Sequence, residues 1–447
     1  MVSISGIRGV VGEGLSPELV ARYAAAFGEY CGGGPVVLGR DTRPSGPLLR
    51  HAVVAGLCSA GCRVVDLGVV PTPTVAVMVE ELGAAGGVCI TASHNPIQWN
   101  ALKFFHGDGL FLDPEQSRRH LEIAARGPAG VPWDRLGALE HNPDALETHI
   151  RRILGLGLLD VPALRKRGFR VAVDCVNGAG RLMAPHLLEE LGCEVLKLGV
   201  EDSGLFSRGA EPTPENLGAL CKAVRASGCE LGFALDPDAD RLALVDGTGL
   251  PLGEELTLAL AARFVLGRGK SPLVANVSSS QVLDDVAREA GVELHRTRVG
   301  EINVSVRMRE LGSAIGGEGN GGVILRDLHL GRDAPVGMAL ILQALLESGK
   351  GLRALRDELP AYAMVKEKIE LGALDATAAL ARAREALPGA RLDETDGLKF
   401  LLQAEGGPAW VQVRASNTEP ILRVFAEAVS EAAARELTAR VRTSLGT

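Results

Sequence analysis

Apolar residues fall into short, nearly unbroken runs that alternate with amphipathic stretches, and one plan recurs three times along the chain. An apolar strand leads into a loop of small or polar residues, then an amphipathic helix, then a second strand. The first copy reads PVVLGRDTRPSG, PLLRHAVVAGLCSAG, CRVVDLG over residues 35–68. The second reads RVAVDCVNGAG, RLMAPHLLEELG, CEVLKLG over 170–199, and the third PLVANVSSS, QVLDDVAREAG, VELHRTRVG over 272–300. Each predicted helix ends at a glycine, where the chain can turn through a left-handed conformation. The apolar runs suit strands covered on both faces, and units of this length predict parallel pairing through right-handed crossovers. Three related α/β domains are therefore expected. Beyond Pro360 the pattern changes: 365–371 and 409–414 read as strands, 376–387 and 430–445 as helices, a smaller α+β unit. The expected boundaries are 1–146, 147–246, 247–361 and 362–447.

Composition narrows the class. The 447 residues carry a net charge of −8, which argues against a dedicated nucleic-acid binder. With 46% hydrophobic and 23% charged residues the chain has ordinary globular proportions, so disorder is excluded. No run approaches the roughly 18 apolar residues of a membrane helix. The start, MVSISGIRGV, lacks the basic and apolar segments of a secretory signal. Eight cysteines without a C-x-x-C pair, and nine histidines off ligand spacing, favour buried thiols over disulfides or zinc. A cytoplasmic protein with no membrane and no nucleic-acid partner is expected.

Four loops could carry chemistry. TASHNP, at 91–96, follows the strand GGVCI, and the ends of such strands are where open α/β sheets place ligands. Ser93 there lacks the G-x-S-x-G elbow of a hydrolase, and a serine in a turn is by itself commonly a cap. In LGFALDPDADRLALVDG, at 231–247, period-two alternation would put Asp236, Asp238 and Asp240 on one side of an extended segment. Three like charges so close call for a divalent cation, and an all-oxygen set suits Mg²⁺. A phosphatase-type aspartate nucleophile and a plain charged hairpin are the other readings. Arg241 follows and could hold a phosphate. GGEGNGG, at 316–322, allows close backbone approach, and Glu318, its sole charge, suits vicinal sugar hydroxyls. VRASNTEPILRV, at 413–424, offers Arg414, Ser416, Asn417, Thr418 and Arg423, a phosphate-cradling composition that a polar turn could also show.

These four loops in this order, with SGIRG at 5–9 and GRDTRPSG at 39–46, resemble the α-D-phosphohexomutase superfamily along nearly the whole chain. The resemblance implies four domains around a central cleft, three related α/β units and a C-terminal α+β unit. It implies that Ser93 carries the transferable phosphoryl group and, with Asp236, Asp238 and Asp240, holds Mg²⁺. Arg8 and Arg241 then contact the reacting phosphate. Lys103, in NALKFF, is the candidate for proton handling, with His94 beside the serine. Glu318 and Asn320 would read the sugar, and the Arg414, Ser416, Asn417, Thr418 and Arg423 loop would grip the non-reacting phosphate. The implied reaction interconverts hexose 6- and 1-phosphates through an enzyme-bound 1,6-bisphosphate, which also serves as activator. A small phosphosugar is the expected partner of a monomer or homodimer. The sugar loop departs from the GEMSGH of the glucose/mannose branch, with Asn320 and Gly322 replacing serine and histidine, and looks more like archaeal-type phosphoglucosamine or broad-range mutases. Glu301 stands where some members place a histidine, and Ala101 replaces a common glycine. A Mg²⁺-dependent sugar phosphatase and a non-catalytic sugar-phosphate binding protein are the competing readings.

Overall fold

The computed structural model describes residues 2–3, 6–370, 375–404, 406–415 and 421–445. Each of the three recurring units closes into a strand–helix–strand–helix–strand pattern and then adds one antiparallel strand. In the first domain the shared part runs Trp99–His106, Gly86–Ile90, Val36–Arg40, Val64–Val69 across the sheet, and further strands extend it to seven. The second domain repeats the order as Leu242–Asp246, Leu231–Leu235, Arg170–Asp174, Glu194–Leu198. The third repeats it as Gly322–Leu325, Ile315–Glu318, Leu273–Asn276, Leu294–Thr297. In each, the last three strands of the order are parallel and the first is antiparallel to its neighbour. The loops TASHNP, DPDAD and GNG are therefore the same hairpin connection in three settings. It lies at the carboxyl end of a central parallel strand, where ligands collect on such sheets.

The fourth domain is a five-stranded antiparallel sheet ordered Ala363–Glu370, Ile421–Ala428, Gly407–Ala415, Leu398–Ala404, Arg391–Asp393, with helices Ala376–Ala383 and Glu431–Leu445. Three of its strands escape the sequence pattern, and the helix expected over 376–387 is shorter. Two strands expected to be covered on both faces, Glu194–Leu198 and Leu294–Thr297, are edge strands with partly exposed side chains. Lys197 on the first is a charge that keeps an open edge from pairing with another chain.

One apolar core runs without a break from Ile150 to Leu359 and serves the second and third domains together. The first domain has a core on each face of its sheet, and the fourth has a core of its own. The eight cysteines are free thiols, and no helix among the described residues is long and apolar enough to cross a membrane.

Candidate functional site

Ser93 sits in the left-handed region, at φ 49°, a conformation costing about 1 kcal/mol or more for a non-glycine residue. A buried frame holds it there. The Thr91 hydroxyl accepts from the Ser93 N–H (2.9 Å) and donates to Asp41 Oδ2 (2.7 Å). The same carboxylate oxygen takes Arg43 Nε (2.9 Å). The two terminal nitrogens of Arg43 then donate to four loop carbonyls, those of Ser93 (2.6 Å), Asn95 (2.7 Å), Pro96 (2.6 Å) and Trp99 (3.0 Å). Asp41 and Arg43 are fully buried. Neither was singled out in the sequence, although both stand in GRDTRPSG. The frame leaves the Ser93 hydroxyl aimed across the domain boundary, donating to Asp236 Oδ2 at 2.9 Å.

Two cations reach this point from adjacent strands. Arg8 pairs in register with Ala101, and Lys103, two residues on, shares that face of the sheet. Lys103 Nζ donates to Asp238 Oδ2 (2.7 Å) and lies 3.6 Å from Asp240 Oδ2. Burial works against its charge, but Asp238 and Asp240 more than offset this and hold its pKa above the usual lysine value. Arg8 donates to the Asn95 amide oxygen (2.9 Å), and Arg241 to Glu211 (2.6 Å). His94, its Nδ1 3.5 Å from Ser93 Oγ, is pushed down to about 2 by Arg241, by burial and by Arg8. A neutral imidazole among guanidinium groups marks a positive field that an anion would relieve.

The DPDAD loop is a turn, not the extended segment that period-two alternation suggested. Ala239 at φ 55° bends the chain, and Asp236 Oδ1 accepts the N–H groups of Asp240 and Arg241, both at 3.1 Å. This curl, rather than strand alternation, brings the three carboxylates together, with one oxygen from each inside a span of 4.8 Å. Gly178 makes the approach possible, since a Cβ there would lie 2.5 Å from the Pro237 carbonyl oxygen. Asp238 Oδ2 also accepts from Thr72 Oγ1 (2.6 Å), a partner that sequence reading missed. Burial and the neighbouring Asp240 and Asp238 raise the Asp236 carboxyl well above the carboxylate range. For Asp238 burial pushes the same way, but Lys103 and its hydrogen bonds win and hold it below that range. The Oδ1 atoms of Asp238 and Asp240 are buried without a hydrogen-bond partner among the described residues. Repelling carboxylates with orphaned oxygens are a donor set that fits a hard divalent cation.

The GEGNGG loop is joined directly to the segment after DPDAD: the Leu242 N–H donates to the Gly321 carbonyl at 3.0 Å. Glu318 is buried, accepting from Asn276 (2.8 Å) and the Gly300 N–H (2.9 Å) through Oε1 and from Arg332 (2.7 Å) through Oε2. The Arg332 charge, against the opposing effect of burial, holds its carboxyl below the usual range. Asn320 turns its amide oxygen to the Gly322 N–H at 3.2 Å. Arg332, absent from the sequence-derived set, also binds Asp240 Oδ2 (2.7 Å) and Glu301 Oε2 (2.9 Å). In the fourth domain Arg414 and Arg423 face each other across neighbouring antiparallel strands. Like charges directly opposite repel, so an anion between them would stabilise the pair. Arg414 lies 3.6 Å from Asp396, and burial together with Arg423 lowers its pKa. Ser416, Asn417 and Thr418 lie outside the described residues.

Four family models match in succession. They are the phosphoglucomutase/phosphomannomutase α/β/α domains I, II and III, over residues 2–127, 147–249 and 253–362, and the C-terminal domain of the same family over 364–444. A probable phosphoglucosamine mutase of Methanopyrus kandleri is 42% identical over 440 residues, covering 97% of this chain and 95% of its own. A phosphoglucomutase/phosphomannomutase of Thermococcus kodakarensis is 39% identical over 441 residues, covering 96% and 95%. The crystal structure of a phosphoglucomutase/phosphomannomutase family protein from Burkholderia thailandensis superposes with a TM-score of 0.85 at 29% identity, over 100% of this chain and 98% of that one. The chain belongs to the α-D-phosphohexomutase superfamily and is an enzyme of that class, an intramolecular phosphotransferase that interconverts sugar 1- and 6-phosphates.

Proposed function

We propose that this phosphohexomutase works through a phosphorylated Ser93, an enzyme-bound hexose 1,6-bisphosphate and Mg²⁺, with glucosamine phosphate as its preferred sugar. The observation that carries the reading is the hydrogen bond of Ser93 Oγ to Asp236, which sets the transferable group at the edge of the buried carboxylate cluster. Asp236, Asp238 and Asp240, with an oxygen on Ser93, would hold the Mg²⁺, whose charge favours phosphoryl transfer by offsetting that of the phosphate oxygens.

The remaining work falls to the chain. The Asp41–Arg43 frame fixes the attack line by holding Ser93 in its left-handed conformation. Arg8 and Arg241 bind the reacting phosphate, in the field that keeps His94 neutral. His94, beside Ser93 Oγ, orients the phosphate. Lys103, held charged by Asp238 and Asp240, would give a proton to the serine oxygen as it leaves phosphorus, be reloaded by the proton of the attacking sugar hydroxyl, and run the same exchange backwards when Ser93 is rephosphorylated. Glu318 and Asn320 read sugar hydroxyls, and Arg414, Ser416, Asn417, Thr418 and Arg423 grip the remote phosphate and position the reacting end. Between the two transfers the bisphosphate reverses, so each phosphate visits both ends. The GEGNGG loop and the similarity to a protein named as a phosphoglucosamine mutase support glucosamine. Free, mostly buried thiols suit a reducing cytoplasm.

The test is ³¹P NMR with Mg²⁺ and the 6-phosphates of glucosamine, glucose and mannose, primed with trace 1,6-bisphosphates. A glucosamine 1-phosphate signal growing fastest is the expected result. Faster growth of another 1-phosphate would move the sugar assignment, and inorganic phosphate alone would favour a phosphatase.

A further inference from the structure

Arg332 belongs to none of the four loops, yet it binds two of them. Its Nη2 donates to Asp240 of the metal loop (2.7 Å) and its Nη1 to Glu318 of the sugar loop (2.7 Å). Its Nε and its backbone N–H both go to Glu301 (2.9 and 3.2 Å). A planar guanidinium can satisfy three carboxylates in fixed directions, whereas an ammonium acts as a point charge.

Two features show that this placement is built in. The first is Gly322. Its φ is not positive, so its backbone makes no demand for glycine. A Cβ at 322 would instead lie 2.2 Å from Arg332 Cδ and 2.9 Å from Cγ. The glycine is the channel through which the arginine stem passes. The second is Asp333, the next residue. Its N–H donates to the Val323 carbonyl (2.8 Å), and its Oδ1 caps the helix Ala334–Ser348 through the Val336 N–H (2.8 Å). Its Oδ2 is met by His149 Nε2 (2.8 Å) and His329 Nε2 (3.0 Å), both buried. The base of Arg332 is clamped and its stem is channelled.

We propose that Arg332 is a positioning residue for the mutase reaction. It ties the sugar-reading Glu318 to the metal-loop Asp240, so that sugar and reacting phosphate are held at one fixed separation, and Gly322 exists to let it do so. The proposal rests on the assignment of Glu318 to the sugar.

The experiment is a mutant cycle on the full-length enzyme with glucosamine 1-phosphate and glucose 1-phosphate, each primed with glucose 1,6-bisphosphate. Gly322→Ala is expected to raise KM at least tenfold by displacing the guanidinium. Arg332→Lys, which keeps charge and stem, is expected to raise KM about tenfold, while Mg²⁺ binding measured by calorimetry without sugar stays within twofold. In an Arg332→Ala background, adding Gly322→Ala is expected to change KM less than twofold, because nothing is left to displace. Gly322→Ala leaving KM within twofold, or acting undiminished without Arg332, overturns the proposal. Equal loss of Mg²⁺ binding and sugar affinity in Arg332→Lys would do the same, since that is the mark of general loosening. Glu318→Gln is measured in parallel. An unchanged KM there refutes the sugar assignment alone, while coupling between positions 322 and 332 still reports on Arg332.

Discussion

The two ends of the proposed substrate site are built in opposite ways. At the reacting end, Ser93, Lys103 and Thr72 of the first domain, Asp236, Asp238 and Asp240 of the second and Arg332 of the third are wired together through buried charged hydrogen bonds. At the remote end, Arg414 and Arg423 stand side by side on a domain with its own apolar core. That domain meets the third through polar contacts: Ser278 with Gln412, Ser280 with Glu427, Lys399 with the Val277 carbonyl, Lys366 with Glu254. Polar contacts between separate cores can be exchanged for water as one domain turns, whereas a shared core cannot. In the mechanism proposed above, phosphoryl transfer needs a rigid geometry and reversal of a bound bisphosphate needs room, and these demands would fall to different domains.

The sharpest break in the contrast comes at Ser93. Ser93→Ala is expected to abolish sustained interconversion, a loss of about 10⁴-fold or more, with folding intact. Near-normal turnover by ³¹P NMR would remove the phosphoserine from the mechanism. Asp238→Asn comes next, with turnover falling about 10²–10³-fold and Mg²⁺ titrating to a higher midpoint, because the change strips one candidate ligand and the partner of Lys103 and Thr72. An unmoved titration would place the cation elsewhere. At the remote end Arg414→Ala is expected to raise KM about 10–150-fold, as charged hydrogen bonds are each worth about 1.5–3 kcal/mol. Melting temperature should hardly move, and a large drop would mean that the arginine supports the fold instead.

The smallest effect is a pH dependence at the polar interface. Lys399 is buried, donates to the Val277 carbonyl (2.6 Å) and lies 3.9 Å from the Trp410 ring centre. Burial, and then Arg296, push it down to about 7 from 10.5. Between those values the unfolded chain holds a proton that the folded protein has shed, so this group's contribution to stability rises with pH. Lys399→Met removes that slope. The variant's advantage in melting temperature should be greatest at or below pH 7 and shrink by a few degrees toward pH 9. A constant difference would show that Lys399 does not titrate in this window.

What the sequence disclosed follows from how local each feature is. The three strand–helix–strand units were legible because apolar runs and terminal glycines are local signals, and TASHNP and DPDAD because their side chains sit within a few residues of one another. Arg332 was silent: its partners lie 14, 31 and 92 positions away, and nothing in GRDAPVG says that the side chain folds back over Gly322. Thr72 and Asp238 are 166 residues apart. The strand Ile421–Ala428 hid because Arg423 and Glu427 break its apolar run without setting up an alternation of period two. The three aspartates were singled out with an incomplete reason: they do gather into one buried cluster, but through a turn at Ala239 rather than through strand alternation.

The unbroken core of the second and third domains also sets how this enzyme tolerates inherited change. A large-to-small substitution in that core, at Leu242 or Leu258 for instance, is expected to disturb the DPDAD and GEGNGG loops at once, since both hang on the same packing. The fourth domain, with a core apart, is a module in which such changes are absorbed without repacking the core of the second and third domains.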